Sequence, residues 1–466
     1  MNIIPKTILL LAIFLAHCSG SYVKKIQETE TAFYHGNIEQ AVSTITPLAQ
    51  DASTQDKLLL YMEAGLIYHT HGDYQTSNRI FQKADELCDE IRTSITGEMA
   101  AFLLSDREKE FHGENFERVL VKYYLALNYI LLNDLESAKR TLRKLEADLK
   151  EMKYEEAAYK QILTARYLDA LVSEELGEFN DVRVQYKNLE LLDVDKNFLN
   201  EQRFFLAQKT GDADDLRRYK KFAPAPFTLL TAQNAPVSKD LGELVILLQR
   251  GKAAAKESRG NLLNDQEFSA ALRVAIYAAL MSRSAGISTA GVFAMLGAAE
   301  NPIPKYIHRD IGNEPVFTLN DQSLGGFTLL TDYDDIAVKN FNDRYQSYIT
   351  KNVASIATKI VIAAIAADQL SRSAENASGG NNLVGTLGRF VIGLGAGGAV
   401  AASIKPDLRG WRTLPARFEV LRIRLPAGKY RLNQLTPQSI AYPAQWDEFE
   451  IKKDRKHFKS IRIFSR

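Results

Sequence analysis

Five short stretches carry residue types that could do chemistry. Gly393, Gly395 and Gly398 in "RFVIGLGAGGAVAAS" fit the glycine spacing of a dinucleotide-binding turn. His308, Arg309 and Asp310 in "YIHRDIGNEP" reproduce the core of a phosphoryl-transfer loop. His69 and His71 stand two apart, a spacing open to a pair of metal ligands. "TDYDD", residues 331–335, gathers carboxylates that could act as an acid–base pair in hydrolysis. Asp407, Arg409 and Trp411 mark the stretch where a hydrolytic or glycan-binding site would sit in the C-terminal half.

The elements that would have to position these groups do not follow. A dinucleotide turn needs a βαβ unit and an acidic residue about 20 positions on. Here Pro406 follows Gly398 within a few residues, and loop and antiparallel-looking strand come next. The glycines read better as a close-packed apolar segment. A phosphoryl-transfer loop places asparagine five residues after its aspartate, where this chain has Pro315. The two histidines fall at a helical turn with no third ligand nearby, which reads as a solvated turn. The "TDYDD" acids open a helix, where its dipole favours them. No catalytic set, nucleotide, cofactor or metal is expected. The formal charge of +1 gives no general attraction to nucleic acid. The basic run Lys452 to Arg466 reads as the charged face of a final strand.

The N-terminus speaks to location. "MNIIPKTILLLAIFLAHCSGSY" has a charged start, an apolar run from Ile8 to Ala16 and then small residues. This is the layout of a secretory signal, and the run is too short to span a bilayer. Leu15-Ala16-His17-Cys18 resembles the lipobox of bacterial lipoproteins, in which the cysteine is acylated and becomes the mature N-terminus. His17 departs from the small residue that the box prefers. Lipidation is expected at Cys18, with a plain cleaved signal as the simpler reading. The other cysteine, Cys88, is then without an intrachain partner and reads as an inert core thiol.

The N-terminal half is periodic. In "LLLYMEAGLIYHTHGDYQTSNRIFQKADELC", Tyr61, Gly65, Tyr68, Gly72, Tyr74, Ser77, Phe81 and Ala84 fall at tetratricopeptide spacing. The frame recurs around Gly36, Asn133, Gly177 and Gly211, which are expected at the turns between helices. The insertion Thr96 to Arg118 must form its own turn or loop. Stacked helix pairs make a solenoid with a concave groove lined by the first helix of each pair. Leu59, Met62 and Leu66 in the second unit, and Leu120, Tyr123, Leu127 and Ile130 in the third, form apolar stripes on that side. They are the expected partner-binding residues, the occupant being a partner protein's segment or another part of this chain.

Two prolines in "FAPAPF" end the helical pattern. Beyond them Leu244 to Leu248 reads as a buried strand, and a long helix starts near Asp334, capped by Thr331 or Asp332. "RFEVLRIRLPAGKYRLNQL" is a hairpin turning at 426–428, and "FEIKKDRKHFKSIRIF" is a second hairpin candidate. The expected fold is multidomain α+β. It comprises a signal at 1–18, helical repeats over 19–220, a linker over 221–240, and an α+β domain with antiparallel strands over 241–466.

"ENFERVLVKYYLALNYILLND", "GELVILLQRGKAAAKES", "IPKY" and "DLRGWRTLPARFEVLRIRLPAGKY" occur in this order in a family of bacterial envelope lipoproteins with an N-terminal tetratricopeptide region, which the chain resembles over nearly all its mature length. Asp407, Arg409, Trp411, Leu414 and Pro415 carry the most specific mark, although Gly410 replaces an expected serine. The resemblance implies an envelope location, with the outer membrane favoured because Ser19 rather than aspartate follows the cysteine, and a periplasmic face. It implies no activity. The expected role is a lipid-anchored, non-enzymatic scaffold for an envelope protein partner in cell-envelope assembly or export. The alternative is an envelope hydrolase or glycan-binding protein.

Overall fold

The computed structural model describes residues 22–93, 110–151, 162–192, 194–223, 240–281, 296–377, 404–435 and 447–464. Cys18 and the 393–398 glycines lie outside them.

Among the described residues ten helices form antiparallel pairs: α1 (Tyr22–Tyr34) with α2 (Ile38–Gln50), α3 (Lys57–His71) with α4 (Tyr74–Thr93), α5 (Asn115–Leu131) with α6 (Leu135–Glu151), α7 (Leu163–Leu176) with α8 (Phe179–Leu191), and α9 (Lys196–Thr210) with α10 (Ala213–Tyr219). All five expected turn residues, Gly36, Gly72, Asn133, Gly177 and Gly211, have φ between 61° and 91°. This left-handed conformation ends the first helix of each pair. In the second pair Ser77 Oγ donates to the Gly65 carbonyl at 2.7 Å, and a Cβ on Gly65 would stand 2.6 Å from the Phe81 ring. Small residues at tetratricopeptide spacing thus set the distance between α3 and α4. Cys88 is buried on α4, and burial pushes its thiol up to about 12.

Among its described residues the second half contains two four-stranded sheets. One has the order β10-β1-β7-β6, with β1 Leu241–Arg250, β6 Thr328–Asp332, β7 Arg417–Pro426 and β10 Lys456–Ile463. The other has the order β5-β4-β8-β9, with β4 Val316–Leu319, β5 Gln322–Ser323, β8 Gly428–Leu435 and β9 Asp447–Ile451. A short ribbon pairs β2 (Ala255–Glu257) with β3 (Lys305–Ile307). Strand β1 is apolar on both faces because each face is covered. Leu244, Ile246 and Leu248 pack toward the second sheet, whereas Val245 and Leu247 join the solenoid core. The layers are therefore solenoid, sheet, sheet.

Three sequence expectations are corrected. Strands β7 and β8 meet at 426–428 but enter different sheets, so they do not pair as a hairpin. The stretch 447–463 is not a hairpin: β9 pairs antiparallel with β8, while β10 pairs parallel with β1. The long helix is two helices, α12 (Tyr333–Asp343) and α13 (Tyr345–Ala377), broken at Arg344. Its cap is as expected, with Asp332 accepting from the Asp335 N–H at 3.2 Å. Helix α13 packs with α11 (Gln266–Met281) over Phe268, Leu272, Ile276, Val353 and Ile356, a separate apolar cluster. No helix among the described residues is long and apolar enough to cross a membrane.

Candidate functional site

The apolar stripes lie in the interior. Leu59, Met62, Leu66, Leu120, Tyr123 and Leu127 are fully buried and Ile130 is 4% exposed. The chain's own C-terminal half covers them. Tyr123 meets Phe418 of β7 edge-on, with ring centroids 5.3 Å apart, and Tyr124 lies 5.9 Å from Trp411. One hydrophobic cluster runs from Tyr22 to Val420 through both halves. Of the two expected occupants of these seven partner-binding candidates, the structure has the internal one. The sheet already occupies the face that an external partner would need.

What fills the rest of the groove is a strap, residues 407–414, which turns at 412–413 just ahead of β7. Its main chain is held by carboxylates on the first helices of the repeats. Glu63 of α3 accepts from the Arg412 N–H at 2.6 Å, the Thr413 N–H at 3.1 Å, the Thr413 hydroxyl and the Tyr22 hydroxyl at 3.1 Å. Glu117 of α5 accepts from the Trp411 N–H at 2.8 Å and, with its other oxygen, from the Glu114 N–H at 2.7 Å. Glu30 of α1 accepts from both Arg412 and Arg309, and Arg309 also donates to the Arg412 carbonyl at 2.7 Å. The Tyr34 hydroxyl donates to that carbonyl at 2.6 Å. Burial raises Glu63 to about 7 and raises Glu117 as well.

Asp407, Arg409 and Trp411 are parts of this strap. Arg409 folds back on Asp407, at 2.8 Å from Nη2, and donates to the Gln55 carbonyl at 3.1 Å and to Asp56 at 3.3 Å. The Trp411 ring is buried against the stacked pair Phe81 and Tyr124. These residues fix the strap in the solenoid. Arg309 of the "HRD" stretch does the same, while His308 Nδ1 sits 3.2 Å from Asp334, which also accepts from the Ala254 N–H. Asp332 and Asp334 of "TDYDD" are thus a helix cap and a loop anchor.

His69 is not in a solvated turn, and that expectation is corrected. It is 4% exposed, bonded to Asn128 at 2.5 Å and to Ser460 of β10 at 2.9 Å. Burial lowers it to about 4, so the ring is neutral. It belongs to the solenoid–sheet interface, as does the Tyr124 hydroxyl, which donates to Gln249 at 2.7 Å. Nearby, Arg422 of β7 lies 2.8 Å from Glu174 of α7 and 2.7 Å from Glu243 of β1, and Lys456 lies 3.3 Å from each. The side chain of Lys456, taken with the basic end as a charged outer face, is 1% exposed. No group of three or more potential metal ligands occurs among the described residues.

One cavity of about 270 Å³ opens where segment 110–114, Lys256, segment 302–304, α12, α13 and Asp407 converge. Its walls are Phe111, Pro302, Ile303, Pro304, Phe341 and Tyr348. Its polar end holds Lys256, 3.0 Å from Glu114, which is 3.7 Å from Arg344. Burial opposes both charges of the Lys256–Glu114 pair, yet the lysine is raised and the glutamate lowered, each held ionised by its surroundings.

Sequence reasoning missed Glu30, Glu63 and Glu117. The available signal was a carboxylate inside an otherwise apolar face: Glu63 stands between Met62 and Ala64 on the inward side of α3.

No protein-family model and no curated protein matches the chain. Among solved structures, MamA from Desulfovibrio magneticus RS-1 aligns at 12% identity over 42% of this chain and 92% of its own, with a TM-score of 0.30. MamA of AMB-1 aligns at 15% identity over 43% and 88%, with a TM-score of 0.29. A tetratricopeptide repeat protein from Parabacteroides merdae aligns at 14% identity over 44% and 81%, with a TM-score of 0.21.

Proposed function

We propose that this chain is a lipid-anchored scaffold of the bacterial envelope, tethered through Cys18 and without catalytic activity of its own. The observation that carries the reading is the strap. A concave helical groove normally offers its surface to a peptide. Here Glu63 and Glu117 bind the main-chain N–H groups of residues 411–413 as they would bind such a peptide. The groove is spent on fixing the C-terminal sheets to the solenoid, and the two halves share one packed core that can present partners on its outer faces. Partner contact is accordingly assigned to outward residues. Leu191 on α8 is 72% exposed and Val184 is 55% exposed.

The test has two arms. Cys18→Ser should abolish acyl labelling and release the protein from membranes. Photo-crosslinkers at Leu191 and Val184 should capture envelope proteins in cells, whereas one at Tyr123 should capture none. Capture through Tyr123 would mean that the groove opens to partners and would overturn the reading.

A further inference from the structure

We propose that helix α11 lies on an anionic lipid surface through its outward apolar face. The inference takes its setting from the Cys18 anchor of the scaffold reading, and its own evidence is that face. Phe268, Leu272 and Ile276 of α11 pack with Val353 and Ile356 of α13. On the other side Val274, Tyr277 and Met281 are each more than half exposed, with Ala270 and Ala278 exposed beside them. Steps of four, three and four residues from Ala270 to Met281 make one stripe along the helix. Ile362 of α13 is also more than half exposed. The last eight residues of α11, "VAIYAALM", hold no charge and a single hydroxyl. A helix that is apolar on every side calls for a cover.

Charge decides what that cover is. From Phe268 to Met281 and from Ser347 to Ile362 the charged residues are Arg273, Lys351 and Lys359, with no acid among them. Apolar surface accompanied by cations alone suits the interface of an anionic bilayer, which attracts the cations and takes in the side chains. Tyr277 suits it too, since a tyrosine ring settles at headgroup level with its hydroxyl in water. A helix of 16 residues is ~24 Å long, enough to lie in that plane and too short to cross it. The anchor lies within reach. Tyr22, the first residue of α1, is four residues on from Cys18, a span of at most ~14 Å. Lys25, one turn along, is 4.0 Å from Asp56, and Arg409 joins Asp56 to Asp407. Asp407 lines the cavity together with Tyr348 and Asn352 of α13. At the start of α11, Asp265 and Glu267 accept from Tyr345 and Gln346 of α13. A chain of contacts thus joins the anchored end of α1 to the two helices.

Vesicle binding tests this on the full chain carrying Cys18→Ser, which takes no acyl group. A polarity-sensitive dye is attached at Tyr277→Cys and, as a control, at Leu191→Cys on the solenoid; Cys88 is buried and does not react. With phosphatidylglycerol vesicles the dye at 277 should shift to the blue and be quenched by a nitroxide on the upper acyl chain, while the dye at 191 stays unchanged. Phosphatidylcholine vesicles should bind ~tenfold or more weakly, since one basic residue near an anionic surface is worth about fivefold. Val274→Ser with Tyr277→Ser should weaken sedimentation with phosphatidylglycerol vesicles by ~tenfold at an unchanged melting temperature. The proposal is overturned if the dye at 277 is quenched no more than the dye at 191, if neutral vesicles bind as well as anionic ones, or if the serine pair binds as its parent does. It is overturned equally if the dye at 277 is already blue-shifted in buffer, whether at every dilution, where the chain covers α11 itself, or only at high concentration, where a second copy does. None of these outcomes bears on acyl labelling of the wild type, so the anchor and the lipid-facing helix fall separately.

Discussion

Glu63→Ala is the substitution that the strap makes most damaging. The carboxylate accepts from four donors, and two of them are backbone N–H groups that cannot turn away. Glu63 and Thr413 are both fully buried. A buried donor without a partner costs about 1–3 kcal/mol. Two fixed N–H groups and two rotatable hydroxyls then give a loss of ~3–5 kcal/mol, a large share of the ~5–15 kcal/mol of a whole domain. Glu63→Gln keeps one acceptor oxygen and should cost less. The two proteins should also differ in pH dependence. Burial lifts Glu63 from 4.5 to about 7 in the folded chain. A carboxyl raised in this way stabilises the fold fully below its unfolded value and loses that contribution as pH rises through 7. Between pH ~5 and ~8 the wild type should therefore lose ~2–3 kcal/mol relative to Glu63→Gln, which does not titrate. Urea unfolding followed by far-ultraviolet circular dichroism and by Trp411 fluorescence, in a Trp446→Phe background, measures both effects. The reasoning fails if Glu63→Ala stays within ~0.5 kcal/mol of the wild type. It fails equally if Trp411 is released well before the helices unfold, because strap and solenoid share one core.

His69 should produce the opposite limb: burial lowers it from 6.5 to about 4, so its contribution is complete above 6.5 and is lost as pH falls toward 4, and His69→Gln should flatten acid unfolding over that window. Gly65→Ala would set a methyl 2.6 Å from the buried Phe81 ring, and a loss of ~1–3 kcal/mol in thermal or urea unfolding is expected. Arg422→Met removes the buried guanidinium shared by Glu174 and Glu243, leaving Lys456 between them and Arg424 beside Glu243, and should cost ~3–5 kcal/mol, whereas a near-neutral result would show that the remaining cations suffice. Tyr123→Glu puts a charge where exposure is zero, and the full chain should fail to fold cooperatively rather than merely lose a partner.

The helical half was legible because its rules are local. Gly72, Ser77 and Phe81 announce a helix pair whatever lies around them, and the turn residues Gly36, Asn133, Gly177 and Gly211 needed only their own φ. The apolar stripe was equally visible, with both an external and an internal occupant open, and the structure puts Phe418 of this chain against it. Nothing in a stripe of Leu120, Tyr123 and Leu127 says which surface will cover it. The strap was hidden for the same reason. Asp407, Arg409 and Trp411 could be picked out by type, but their partners Asp56, Glu117 and Phe81 lie hundreds of residues away. The parallel pairing of β10 was hidden too, since adjacent strands such as β9 and β10 suggest a hairpin and only the second sheet's demand for β9 prevents it.

That parallel pairing governs when the molecule can become whole. Strand β1 is complete near residue 250, yet its neighbours are β7 and the last strand of the chain, with Glu243 opposite Lys456. During synthesis the helix pairs can form one after another, since each needs only its neighbour. Tyr123 and Leu127 then stay bare until residues 407–426 arrive, and one edge of β1 stays open until residue 463 does. The order of synthesis thus creates a waiting period in which an aromatic groove and an unpaired strand edge coexist. Such intermediates aggregate or are held by chaperones. A chain shortened by its final ten residues should therefore be found bound to holding chaperones or degraded, although every helix of the repeat region is intact.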